Sequence, residues 1–249
     1  FKNLSIDNKK FKVTVAPIKF NDPNKNIHFL SGTSNYKTID CNENGYFSIY
    51  LSDRFGFNNP NDQWESDNIK YTILGDSFAH GACVNRPNDI ASQLRILSNE
   101  NVLNLGYKSN GPLSMLATLK EYMPKNTKNI LWLYFEGNDL NDLVSELDNE
   151  ILLKYFSDTN FSQNLKKKQK IIDLLNKEII FKSIELEDRI IDQATRNAKL
   201  KNKLLKLIRL NETKKIFSLQ TIRHKNNELP IKEFKNIIKN AKNYVENNN

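Results

Sequence analysis

Residues 69–81, Ile-Lys-Tyr-Thr-Ile-Leu-Gly-Asp-Ser-Phe-Ala-His-Gly, restrict the fold more than any other stretch of the chain. An apolar run, Tyr71 to Leu74, passes without a spacer into Gly75-Asp76-Ser77, and Gly81 follows four residues after the serine. A buried strand that ends in small, sharply turning residues presents its last side chains at the carboxyl edge of a sheet. In open α/β sheets that edge is where ligands bind. The local pattern supports two readings of Ser77 equally. It is either a cap of the next helix, or a nucleophile whose oxyanion meets backbone N–H groups at a helix start.

The flanking sequence decides what kind of sheet this is. Short β segments are predicted at 11–18 and 46–51, with turn-rich connections such as Asn44-Gly45. After the strand at 69–74 come a helix at 88–98, a strand at 102–105, a helix at 113–122 and a strand at 130–135, Ile-Leu-Trp-Leu-Tyr-Phe. Strand runs apolar on both faces and separated by helices imply a parallel sheet covered by helices. Hydrophobic residues make up 39% of the 249 and aromatics 10%, enough for a sizeable core.

Charge divides the chain near residue 150. Residues 1–149 carry a balance of −2 and residues 150–249 one of +10, within a total of +8. Apolar residues recur at helical spacing from Leu165 to Leu210: Ile171, Ile172, Leu174, Leu175 and Ile179, then Ile184, Ile190, Ile191, Ala194, Leu200, Leu204 and Leu207. The lysines between them read as the solvated face of one or two long amphipathic helices. Another helix is expected at 230–246, with Pro230 at its first turn. The organisation expected is a β-rich lead-in over 1–65, an α/β core over 66–149, and a basic helical insertion or extension over 150–249. A nucleic-acid role for that basic part is disfavoured, because it lacks aromatics placed for base stacking.

Other classes are excluded more simply. No apolar run reaches 18 residues, so no membrane-spanning helix is expected. Cys41 and Cys83 lack metal spacing and give no sign of a disulfide framework. His28, His80 and His224 are scattered, and neither a metal centre nor a cofactor is expected.

Three strand ends then fall together on one sheet edge. The first carries Gly75-Asp76-Ser77, the second Gly106-Tyr107-Lys108-Ser109-Asn110-Gly111-Pro112, and the third Glu136-Gly137-Asn138-Asp139. A hydroxyl nucleophile, small residues with free N–H groups and a carboxamide donor are what acyl transfer through a tetrahedral oxyanion requires. Asparagine suits the donor role because it is neutral and does not repel the forming charge.

These blocks resemble the SGNH (GDSL-type) hydrolase superfamily over roughly residues 50–145. Gly75-Asp76-Ser77-Phe78 is similar to its nucleophile block, residues 104–112 to its glycine block and Gly137-Asn138-Asp139 to its asparagine block. Asp53-Arg54-Phe55-Gly56-Phe57-Asn58 resembles a segment that precedes the serine in bacterial envelope-polysaccharide members. The resemblance implies a three-layer, flavodoxin-like parallel sheet. It also implies a serine ester hydrolase or O-acyltransferase acting on an acylated carbohydrate or similar ester. Ser77 is then the nucleophile, supported by Gly75 and Asp76, with an oxyanion hole drawn from Ser77, Gly106, Ser109 and Asn138. A cell-envelope or periplasmic location is favoured over the cytoplasm, with room for a membrane anchor outside these residues.

The family's late Asp-x-x-His block has no counterpart in the 249 residues. It is expected beyond Asn249, which would leave these residues inactive by themselves. A non-catalytic carbohydrate-binding or scaffolding protein is the alternative. His80 is read as a surface or rim residue, His28 as structural, and His224 as part of a polar turn. Asp139 is read as a cap of the helix that follows, Trp132 and Tyr134 as core, and Trp64 as a packing residue ahead of a sugar platform.

Overall fold

The computed structural model describes residues 4–6, 9–11, 27–41, 45–178 and 229–248. The strand expected beyond Phe11, the apolar stripe from Ile179 to Leu207, and His224 lie outside those residues. Asn3–Glu178 and Leu229–Asn249 form one compact unit.

At its N-terminal side, β1 (Leu4–Ile6) pairs antiparallel with β2 (Lys9–Phe11), and β3 (Lys37–Ile39) with β4 (Ile49–Leu51). The fold is α/β, built on a parallel sheet of β5 (Ile69–Leu74), β6 (Val102–Asn104) and β7 (Thr127–Trp132) in the order β6-β5-β7. Register is fixed by Tyr71 opposite Val102 and by Ile69 opposite Thr127. The one polar residue deep in β5, Thr72, is satisfied by a 3.0 Å hydrogen bond between its Oγ1 and that of Thr127. The strand can therefore stay buried without an orphaned hydroxyl.

Helix α1 (Ser77–His80) follows β5 directly, and α2 (Ile90–Ser98) leads to β6. Alternate residues of the strands feed two clusters. Ile73, Ala79, Ala91 and Val102 form the smaller one, with Leu94 of α2 against it. Leu74, Leu103 and Leu105 enter the larger one, centred on α3 (Pro112–Tyr122). Leu113, Met115, Leu116, Leu119 and Tyr122 of α3 are almost completely buried. Each contributes about 1.5–3 kcal/mol by leaving water.

Helices α4 (Asp139–Glu146), α5 (Glu150–Ser157) and α7 (Ile231–Asn248) all pack on α3. A further helix, α6, runs over residues 165–178. The core therefore continues through the charge step at residue 150, since Leu152, Tyr155, Leu165, Ile172, Ile237 and Ala241 belong to the same cluster as α3. In α6 the buried positions are Leu165, Gln169, Ile172 and Asn176, so Ile171 and Leu174, expected on the apolar stripe, face solvent instead. Glu121 locks the turn before α6 by accepting from Tyr155 Oη at 2.5 Å, Ser162 Oγ at 2.8 Å and Leu165 N at 2.7 Å. No described helix is long and apolar enough to cross a membrane.

The cysteines correct the sequence reading. Cys41, beyond β3, and Cys83, beyond α1, form a disulfide that closes a separation of 42 residues. It fastens the β3–β4 hairpin to the segment that follows the serine helix. Closing a loop of this length restricts the unfolded chain by about 2–4 kcal/mol. Thermal unfolding with and without dithiothreitol should show a lower midpoint for the reduced protein. A double Cys41→Ser/Cys83→Ser variant should match that midpoint and ignore the reductant.

Candidate active site

The end of β5 is flanked on both sides by the strand ends expected there. Tyr107 N donates to Gly75 O at 3.1 Å, and Leu133 N donates to Leu74 O at 2.8 Å. The serine, glycine and asparagine blocks therefore meet around Gly75, brought together by strand register and not by sequence proximity. Asp76 caps α1, its Oδ1 accepting from Phe78 N at 2.9 Å. Ser77 is the first residue of the helix and half-buried, and its hydroxyl has no hydrogen-bond partner among the described residues. The cap belongs to Asp76, so Ser77 Oγ is left uncommitted. Gly81 ends this single turn at φ 81°, a left-handed conformation that a side chain disfavours.

The second strand end is held by Asn104, which is fully buried. Its Nδ2 donates to Ala79 O at 2.6 Å, and its Oδ1 accepts from Gly106 N at 2.9 Å. A β-carbon at Gly106 would stand inside van der Waals contact of Ala79 Cβ and 2.8 Å from His80 N. Gly106 is thus a packing requirement, and its N–H is already engaged rather than offered to an oxyanion. Ser109 adopts φ 61°, and its N–H has no partner among the described residues. Of the two candidates in this block, Ser109 keeps a free donor.

Asn138 occupies the N-cap position of α4. Its Nδ2 donates to Asp142 Oδ2 at 2.9 Å, while its Oδ1 is buried without a partner. Asp139 does not cap α4. Its Oδ2 instead accepts from the preceding Phe135 N at 2.8 Å, and its Oδ1 is buried and unpaired. Burial raises the Asp139 carboxyl to about 7; the Phe135 N–H opposes the shift, and Asp76, Asp142 and Glu146 reinforce it.

His80 is not a rim residue. It is completely buried, its ring meeting Tyr50 edge-on at 5.1 Å and Tyr107 at 5.2 Å. Its Nδ1 lies 3.4 Å from Gly106 O. Burial depresses its pKa to about 4, so the imidazole is neutral at physiological pH. One turn beyond Ser77, the helix directs His80 into the protein toward the aromatic pair. Nearby, Lys108 pairs with Asp40, whose Oδ2 accepts from Cys83 N at 2.8 Å. Asp40, Cys41 and Cys83 have the proximity of a metal-ligand group, but their two sulfurs are bonded to each other.

His28 is structural as expected, its N–H donating to Gln163 Oε1 at 2.8 Å. Trp64 also fits its packing role, with Nε1 donating to Asp53 Oδ2 at 2.7 Å and its ring against Phe55. Tyr134, expected in the core, lies past the end of β7 and is exposed against Phe234, while Trp132 is half-buried. Comparison with protein-family models, with curated proteins and with solved structures finds no match.

Sequence reasoning singled out the Asp53–Asn58 segment without the role of its carboxylate, and missed Asp142 and Glu146. Asp53 Oδ1 accepts from both Phe55 N and Phe57 N, which shapes the Asp-Arg-Phe-Gly-Phe turn. Glu146 accepts from Gly111 N at 2.9 Å and Leu113 N at 2.8 Å, satisfying the start of α3 with a negative charge. The four-residue steps 138, 142 and 146 were the available signal, because they place one side chain per turn on one helix face.

Asp139 and His80 have opposite consequences for stability. A carboxyl raised from 3.8 to about 7 on folding contributes stability that is complete below about pH 4 and is lost as pH rises through about 7. A histidine lowered from 6.5 to about 4 contributes stability that is lost as pH falls through that range. Comparing the wild type with Asp139→Asn cancels the histidine. The stability of the wild type relative to this variant should fall steadily as pH rises from about 4.5 to 7.5, measured by denaturant unfolding. A constant difference would mean that Asp139 is ionised throughout.

Proposed function

We propose that this chain is a serine ester hydrolase or O-acyltransferase of SGNH type, with a three-layer, flavodoxin-like α/β core. The favoured substrate is an acylated carbohydrate or a similar ester, at the bacterial cell envelope. One observation carries the reading: an uncommitted serine hydroxyl stands at the central strand end, between a loop with a free backbone N–H and a carboxamide donor on the neighbouring strand end. In this reading Ser77 Oγ attacks the ester carbonyl and gives up its proton to the histidine of the late Asp-x-x-His block that the resemblance implies, which has no counterpart in these 249 residues and which returns the proton to the leaving alcohol. The oxyanion is met by Ser77 N–H, Ser109 N–H and Asn138 Nδ2. Collapse expels the alcohol and leaves an acyl-serine. Water then completes hydrolysis, or an acceptor hydroxyl completes transfer.

A second reading, a non-catalytic carbohydrate-binding or scaffolding protein of the same type, is favoured by a separate observation. Both described histidine rings are engaged elsewhere, His80 edge-on with Tyr50 and Tyr107, and His28 through Nδ1 with Asn149 Nδ2 at 3.1 Å. A fluorophosphonate separates the two. The enzyme reading expects a covalent adduct on Ser77, release of the alcohol from a chromogenic ester, and loss of both in Ser77→Ala. Asn138→Ala should lower kcat by about 10²–10³. Ester turnover unchanged by Ser77→Ala would overturn the enzyme reading, and a full-length protein that is neither labelled nor active would favour the binding protein.

A further inference from the structure

We propose that Asp142 is a positioning residue that sets which end of the Asn138 carboxamide is presented to the reaction; this rests on the ester-chemistry reading above. A carboxamide has two ends of similar shape, one donating and one accepting, and neighbouring hydrogen bonds choose between its two orientations. Asn138 Oδ1 is buried and receives no hydrogen bond. The 2.9 Å bond from Nδ2 to Asp142 Oδ2 is the side-chain hydrogen bond that discriminates between the orientations. An ionised carboxylate only accepts, so it keeps the nitrogen end on its own side and leaves the second hydrogen of that nitrogen for an oxyanion. The flipped amide would turn its oxygen toward the carboxylate and toward the forming negative charge, which opposes reaction at both contacts.

Asp142 is itself held in place. It lies one turn into α4 on the face that also carries Glu146, whose carboxylate binds the N–H groups of Gly111 and Leu113. A β-carbon at Gly111 would come within 2.9 Å of Asp142 Cβ and 2.6 Å of Glu146 Oε2. The absence of a side chain at Gly111 thus lets this face of α4 seat against the loop that carries Ser109. The carboxylate that orients Asn138 is wedged between the second and third strand ends. Its distance from the serine block is therefore set by packing as well as by the helix.

Two further carboxyl groups stand near Asp142 on α4. Asp139, beside it on α4, is the carboxyl that burial and its acidic neighbours drive toward the neutral form. Glu146, one turn on, is stabilised by backbone donors of α3. The acceptor for the Asn138 amide nitrogen is Asp142, while Asp139 Oδ2 is taken by Phe135 N.

The test combines a kinetic and a spectroscopic readout. Asp142→Ala should lower the maximal rate of Ser77 phosphonylation roughly 10- to 100-fold with little change in the concentration for half-maximal rate, as a misplaced donor does. Asp142→Asn, which keeps a side-chain oxygen as acceptor, should recover most of the rate. In an Asn138→Ala background, Asp142→Ala should have no further effect. The Asn138 side-chain NH₂ resonances should lose hydrogen-exchange protection in Asp142→Ala and keep it in Asp142→Asn. An unchanged rate, an equal loss in the Asn138→Ala background, or an unaltered Asn138 amide would overturn the proposal. If the full-length wild type is not phosphonylated, the ester reading fails, and the amide resonances alone decide whether Asp142 orients Asn138.

Discussion

The buried carboxamide of Asn104 is the joint on which the site depends. Its side chain ties the end of β6 to α1 through Ala79 O and turns the chain at Gly106 through the Gly106 N–H. Its backbone N–H and C=O are both taken by the Asn59 carboxamide, at 2.8 and 2.7 Å. Asn59 in turn donates to Asp53, which also accepts from Trp64. The chain of bonds from Trp64 to Ala79 crosses four separate segments, and every link is partly or fully buried. Removing one partner from such a chain leaves the others unsatisfied, at about 1–3 kcal/mol for each orphaned group. The segment Asp53–Asn59 is thus a support laid under the strand ends, and its aromatic residues complete the core around Tyr122.

Carboxylates gather around the site because backbone donors gather there. Asp76 caps α1, Glu146 satisfies the first turn of α3, and Asp139 holds the turn before α4. Each meets N–H groups that a helix start or tight turn leaves free, so three acids can be buried close together without three lysines. The accumulation has a limit, and Asp139, driven toward neutrality, marks it. His80 follows the same logic in reverse, since a buried imidazole between two tyrosines favours its uncharged form.

Where apolar runs are sharply bounded, the elements were legible in the sequence. The strand at 69–74 and the helices ending at Ser98 and Tyr122 match the structure closely, because apolar runs bounded by Gly, Pro or Asn leave little choice. The third strand was read three residues late. Lys128 and Asn129 are exposed at its start, while Tyr134 and Phe135 are aromatic without being paired in the sheet. α4 was expected after Asp139 but without bounds, because its eight residues bury only one apolar side chain, Leu143; it is fixed by Asn138, Asp142 and Glu146 instead. The Cys41–Cys83 bond could not be read from spacing, since only the folded hairpin brings the two sulfurs together. His80 was misread because a lone histidine beside a polar turn carries no mark of the two tyrosines contributed by distant segments.

The same helix face that presents Asn138 also completes the start of α3, and under the proposed ester chemistry this couples reactivity to folding. Glu146 cannot leave the Gly111 and Leu113 N–H groups without exposing the first turn of α3, the most buried of the described helices. Asn138 and Asp142, on the two turns before it, inherit that rigidity at no separate cost. A loop bearing Asn138 alone would leave that side chain without such support. Here the order is established when α3 and α4 dock, and the fourfold spacing of Asn138, Asp142 and Glu146 transmits it to the strand end where Ser77 stands.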